Sequence, residues 1–175
     1  MTSFSAATAS RDAASKSKET PDLLIEAGIK LFSEQGYDAT STRQIETSAR
    51  VQRSLIAYHF GNKKNFWKAC MTRLYESRYD LAGLEIPQAV ADDPREKLKF
   101  IIRHYVRANA EVPELARIMC DEGRRQDWRI KWLVKKFSVE FYDTIKQLYE
   151  RGRKDNVVPD IPLTHFYYNM VSSAL

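Results

Sequence analysis

Within the stretch TSTRQIETSARVQRSLIAYHF, Thr40–Phe60, the side chains able to do chemistry are hydrogen-bond donors and cations rather than paired acids and bases. Arg53, Ser54 and Ala57 stand at i, i+1 and i+4, a spacing that turns them toward one side of a helix. An arginine near the start of such a helix can hold O6 and N7 of a guanine together, a contact worth about 1–3 kcal/mol of discrimination. Ser41, Thr42, Arg43, Tyr58, His59, Lys63 and Lys64 surround them and are of the types that grip phosphate oxygens. The N–H groups of helices starting at 41–42 and 62–63 add to that grip. This is recognition chemistry. Bond-making chemistry has no comparable set: there is no glycine-rich phosphate loop, no serine elbow and no Cys–His arrangement. His104 and His165 are isolated, and Cys70 and Cys120 lack ligand spacing, so no metal site and no cofactor is expected.

The recognition residues need elements to hold them. Pro21 suits the first turn of a helix, and Leu23, Leu24, Ala27, Leu31 and Phe32 recur on one apolar face up to a stop at Gly36. Ser41 and Gln44 spell a capping box for a short helix whose Ile45 and Ala49 turn inward. A second short helix fits residues 52 to 60 and closes at Gly61. Asn62 then caps a longer helix with Phe66, Trp67, Cys70, Met71 and Leu74 on its apolar side. One helix, two short ones across a tight turn, then a long one is the order of a helix-turn-helix reader, with the second short helix in the major groove.

Beyond Pro87 and Asp92-Asp93-Pro94 the chain stays helical. Leu98, Ile101, Ile102, Tyr105 and Val106 make one amphipathic stretch, and Pro113 opens another with Leu115, Ile118 and Met119. A long helix is expected from Trp128 to Arg151, and a last one from Leu163. No alternating strand pattern appears, so the fold class is all-α. The expected divisions are a flexible tail over 1–20, a helix-turn-helix DNA-binding domain over 21–67, and an antiparallel helical domain over 68–175.

Charge is distributed unevenly over the 175 residues. The net +5 resolves into −2 for 1–38, +6 for 39–75, −3 for 76–122, +6 for 123–154 and −2 for 155–175. Either basic segment could meet an anionic polymer. The second lacks helix-turn-helix order and reads as the solvated face of a long helix. With 43% hydrophobic and 29% charged residues, the composition excludes wholesale disorder. No apolar run approaches a membrane span, no secretory signal opens the chain, and two cysteines make no disulfide scaffold. A cytoplasmic protein is expected.

Thr40–Phe60 together with GNKKNFW, and the upstream EAGIKLFSEQGYDAT, closely resemble the N-terminal domain of TetR-family transcriptional regulators. PELARIMCDEGRRQ and PLTHFYYNMVSSAL are similar to segments of that family's ligand domain. The resemblance implies a homodimeric repressor paired through its C-terminal helices, bound to an inverted-repeat DNA operator and released by a small-molecule effector. It places Arg43, Arg53 and Ser54 at base- or phosphate-reaching positions, and Tyr58, His59 and Lys63 where phosphates are held. Three positions depart from the family pattern. Arg50 replaces a small turn residue, Leu55 stands where a hydroxyl often grips phosphate, and Ala57 stands where a tyrosine often touches a base, although Ala57 can still pack on a thymine methyl. The family continues with further helices past the region where this chain stops, which implies either a longer natural chain or a different pairing.

In the C-terminal part Phe100, His104, Met119, Trp132, Phe141 and Tyr167 are the candidate ligand contacts, with Arg103 and Arg107 able to orient an acidic ligand. The same aromatic residues suit an ordinary helical core. Two other classes stay open at this point. One is a helical adaptor that binds protein instead of DNA; the other is a small-molecule-binding or catalytic all-α protein.

Overall fold

The computed structural model describes residues 4–76 and 85–173, with side chains from Thr20 onward. Among the described residues all regular structure is helical, and no helix is long and apolar enough to cross a membrane. The chain divides after Leu74 into two compact units, Met1–Leu74 and Tyr75–Leu175. The first therefore runs further than the expected boundary at 67, to the last inward-facing residue of its fourth helix.

The first unit holds α1 (Phe4–Ala39), α2 (Thr42–Ser48), α3 (Leu55–Phe60) and most of α4 (Lys63–Glu76). Helix α1 begins at Phe4, so Pro21 lies inside it instead of opening it. The stretch before Pro21 is rich in alanine, the residue that loses least on entering a helix. Near the other end Gly36 takes φ 78°, ψ 168°, a backbone that favours glycine, and turns the chain. The buried Thr40 hydroxyl donates to the Gly36 carbonyl at 2.8 Å and secures that turn.

On α1 the core face is Leu24, Ile25, Gly28 and Phe32; Leu23, expected inside, is 46% exposed. Gly28 allows α4 to approach closely, since a Cβ there would lie 2.6 Å from the Phe66 ring and 2.9 Å from Cys70 Sγ. All five expected apolar residues of α4 are buried. Burying a large apolar side chain contributes about 1.5–3 kcal/mol. Helices of six or seven residues are unstable alone, so α2 and α3 depend on Ile45 and Ile56, at 0% and 1% exposure, to hold them to this core.

The second unit holds α5 (Gln88–Ala91), α6 (Pro94–Glu111), α7 (Pro113–Arg125), α8 (Trp128–Leu133), α9 (Val139–Lys154) and α10 (Leu163–Ser172). Asp93 caps α6 by accepting from the N–H groups of Arg95 and Glu96. The expected single helix from Trp128 to Arg151 is instead interrupted by a π-helical turn, Val134–Ser138, where the Val139 N–H reaches back to the Val134 carbonyl. Such turns insert one extra residue and are frequent at functional sites. Leu98, Ile101, Phe141, Ile145, Tyr149 and Met170 form the core of this unit.

Two buried polar devices complete it. Arg129 Nε donates to Glu122 at 2.6 Å, with both side chains under 5% exposed, and a second guanidinium nitrogen reaches Asp127 at 2.7 Å. The Tyr149 hydroxyl sits between the carbonyls of Pro159 and Ile161 at 2.7 and 2.8 Å, and ties the 155–162 connection to α9.

Candidate nucleic-acid interface and cavity

Both halves of the capping box open α2. The Gln44 N–H donates to Ser41 Oγ at 3.2 Å, and the Ser41 N–H donates to Gln44 Oε1 at 2.7 Å. This fixes Ser41, Thr42 and Arg43 at the first turn, with Arg43 exposed. At the far end Arg50 enters the left-handed region at φ 55°, so the turn is made without glycine, at a cost of about 1–2 kcal/mol. Ser54 follows at φ 69°.

That second left-handed residue changes the expected helix. Helix α3 starts at Leu55 and not at residue 52, so Arg53 and Ser54 lie in the turn before it, and of the three aligned readers only Ala57 is helical. Arg53, Ser54, Ala57 and Tyr58 are all exposed, Tyr58 at 80%. His59 is half-buried, its ring edge-on to Tyr58 at 4.9 Å. Lys63 is half-buried, with its ammonium 4.2 Å from the centre of the Tyr37 ring.

Ser54 makes no side-chain cap. Its place is taken by Glu46 on α2, whose Oε1 accepts the Ile56 N–H at 3.0 Å while the residue is 5% exposed. One of the otherwise orphaned donors at the start of α3 is thereby satisfied from a neighbouring helix. Sequence reasoning missed Glu46. The available signal was that it is the lone acid among eight charged residues of 39–75 and follows the buried Ile45.

The second unit encloses a cavity of about 710 Å³, within the ordinary range for small-molecule sites. Of the six expected ligand contacts, Met119, Phe141 and Tyr167 line it; Phe100, His104 and Trp132 do not. On α6 the wall is made by Ile101, Tyr105 and Asn109, at i, i+4 and i+8. Phe100 and His104 each precede this line by one residue, about 100° around the helix. The exposed Arg103 and Arg107 also stand outside the lining. Trp132 precedes the π-helical turn, which itself contributes Val134, Lys136, Phe137 and Ser138 to the wall.

Tyr75, Tyr105, Tyr142, Tyr167 and Tyr168 all face this cavity. Desolvation, reinforced by neighbouring phenols, pushes Tyr167 up to about 12 and Tyr75 higher still, and desolvation raises Tyr105 as well. The phenols of Tyr75, Tyr105 and Tyr167 are therefore neutral at pH 7. The Tyr75 hydroxyl donates to Met119 Sδ at 3.0 Å, and its ring stacks on Phe137 at 3.9 Å between centres. Among the described residues no group of three or more His, Cys, Asp or Glu side chains is placed to hold a metal ion.

Comparison with known proteins matches residues 24–70 to the family described as bacterial regulatory proteins, tetR family. Over 165 residues, 91% of this chain and 76% of the relative, it is 27% identical to the HTH-type transcriptional repressor NicS of Pseudomonas putida. It is 30% identical over 74 residues, 36% of this chain and 40% of the relative, to IcaR of Staphylococcus epidermidis, a negative transcriptional regulator of a biofilm operon. Among solved structures, HlyIIR, a hemolysin II transcriptional regulator, superposes with a TM-score of 0.72 at 22% identity, covering 89% of this chain and 84% of that one. The likeness to HlyIIR shows the shared fold, and the matched residues 24–70 include α2 with Arg43, α3, and the turn that carries Arg53 and Ser54. Residues 24–70 thus match the tetR family of bacterial regulatory proteins, and over most of its length the chain is similar to a helix-turn-helix transcriptional repressor.

Proposed function

We propose that the protein is a repressor that binds an inverted-repeat operator as a homodimer and leaves it when a small molecule fills the cavity of the second unit. The carrying observation is the turn ahead of α3, where exposed Arg53 and Ser54 stand beside exposed Ala57 on a scaffold fixed by Ile56 and Glu46. In the resulting complex α3 lies in the major groove. Arg53 and Ser54 read base edges, Ala57 packs on a thymine methyl, and Ser41, Thr42, Arg43, Tyr58, His59 and Lys63 hold phosphates. Two such surfaces in one dimer would meet successive major grooves about 34 Å apart.

Repression is supported by the names of NicS, a repressor, and IcaR, a negative regulator. Pairing through the C-terminal helices is what the family resemblance implies. Release by an effector follows from linkage: a ligand that prefers the state unable to span both grooves weakens DNA binding, and DNA weakens the ligand by the same factor.

The test is footprinting on DNA from upstream of the protein's own gene, across a salt series. A protected inverted repeat whose affinity falls steeply with salt is expected. Arg53→Ala should relax sequence preference by about 1–3 kcal/mol at one base pair, and Lys63→Ala should weaken all DNA alike. Absence of binding at low salt would overturn the proposal, and a clean monomer in ultracentrifugation would overturn the dimer.

A further inference from the structure

The cavity is lined largely by rings and aliphatic side chains and opens to solvent on one side, and its polar groups are unevenly placed. Asn109, on its wall, is 4% exposed; its amide donates to the Tyr105 carbonyl at 2.8 Å, which commits one end of the carboxamide. Tyr167 makes ring contacts with Phe141, Tyr142 and Tyr168 and belongs to the same wall. The charged lining residues Glu76, Lys136 and Glu140 are all exposed, so among the described residues charge sits where the cavity meets solvent.

A buried carboxylate needs a partner cation, because desolvation without pairing costs several kcal/mol. The buried guanidinium of this unit, Arg129, already holds Glu122 and Asp127 and lies outside the lining. The Lys136 ammonium rests over the rings of Trp132 and Phe137, at 5.5 and 5.4 Å. Two of the three charges at the rim are negative and repel an anion. Among the described residues the interior therefore offers aromatic faces, phenol hydroxyls and one buried carboxamide, with no buried charge to compensate an ion.

Resting on the reading of this cavity as the effector site, we infer that its ligand is an uncharged, ring-bearing molecule with a single hydrogen-bonding group, such as a phenol or ketone, directed at Asn109 and Tyr167, and that carboxylates of the same shape are rejected.

The experiment titrates the full chain with 2-naphthol, 2-naphthoate and 2-naphthylmethylammonium, matched in shape and different in charge, using calorimetry at pH 7. 2-Naphthol is expected to bind saturably and at least about tenfold more tightly than either ion, a ratio equal to 1.4 kcal/mol. Tyr167→Phe, which removes one hydroxyl, should reduce that advantage several-fold, and Asn109→Leu should reduce it further. Equal or tighter binding of the carboxylate or the ammonium would overturn the inference, as would no saturable binding of any probe. Operator release, measured separately, keeps the two ideas apart. If 2-naphthol binds without changing DNA affinity, the effector reading falls and the cavity chemistry stands; if 2-naphthoate releases DNA, the reverse holds.

Discussion

The first unit presents its candidate side chains outward, while the second surrounds its candidate site. Around α3 Arg53, Ser54, Ala57 and Tyr58 are exposed, close in sequence, and carried by six helical residues and a preceding turn. The cavity wall is instead assembled from the end of α4 and from α6, α7, α9, α10 and the π-helical turn, with contributors as far apart as Tyr75 and Val171. A surface reader needs few supports, each bearing on one short segment. An enclosed site needs the whole unit to pack.

Substitutions can break or sharpen that contrast. The largest effect should come from Arg129→Met, which leaves Glu122 buried without its partner at a cost of about 3–5 kcal/mol. Thermal melts should show the second unit destabilised, and binding of any cavity probe lost with it. Gly28→Ala forces a methyl group against Phe66 and Cys70 in the first unit, for about 1–3 kcal/mol. Here DNA affinity should fall while cavity probes bind as before; equal loss of both would show that the units do not act separately. Glu46→Ala removes the acceptor for the Ile56 N–H and should cost about 1–2 kcal/mol, in line with the loss of a helix cap. Glu46→Gln keeps an acceptor oxygen, so it should restore the ratio of operator to random-DNA binding that Glu46→Ala loses. Smallest is Tyr149→Phe, expected to lower stability by about 1 kcal/mol through its bonds to Pro159 and Ile161, with no change in DNA sequence preference.

The same contrast governs what could be read beforehand. Capping at Ser41 and Asn62, the stop at Gly36 and the buried face of α4 follow from local rules, and the structure has them. Local rules also erred locally. Periodicity counted Leu23 as inward, whereas the face that meets α4 is centred on Leu24 and Gly28. The start of α3 was placed too early because left-handed Ser54 leaves no mark in a hydrophobic pattern. Tertiary facts were beyond reach: that Glu46 turns inward to α3, and that Asn109 faces the cavity while His104 does not, depend on which helices pack together. The all-helical class needed only the period of the apolar residues, and it was legible throughout.

The π-helical turn at Val134–Ser138 carries a consequence for length variation. It holds one residue more than an α-helix of the same rise. Deleting a single residue there would regularise the backbone while leaving Phe141 and Ile145 turned to the core they fill, because the wide turn already absorbs the extra residue. The loss would fall instead on the cavity, whose wall would give up part of what Val134, Lys136, Phe137 and Ser138 supply.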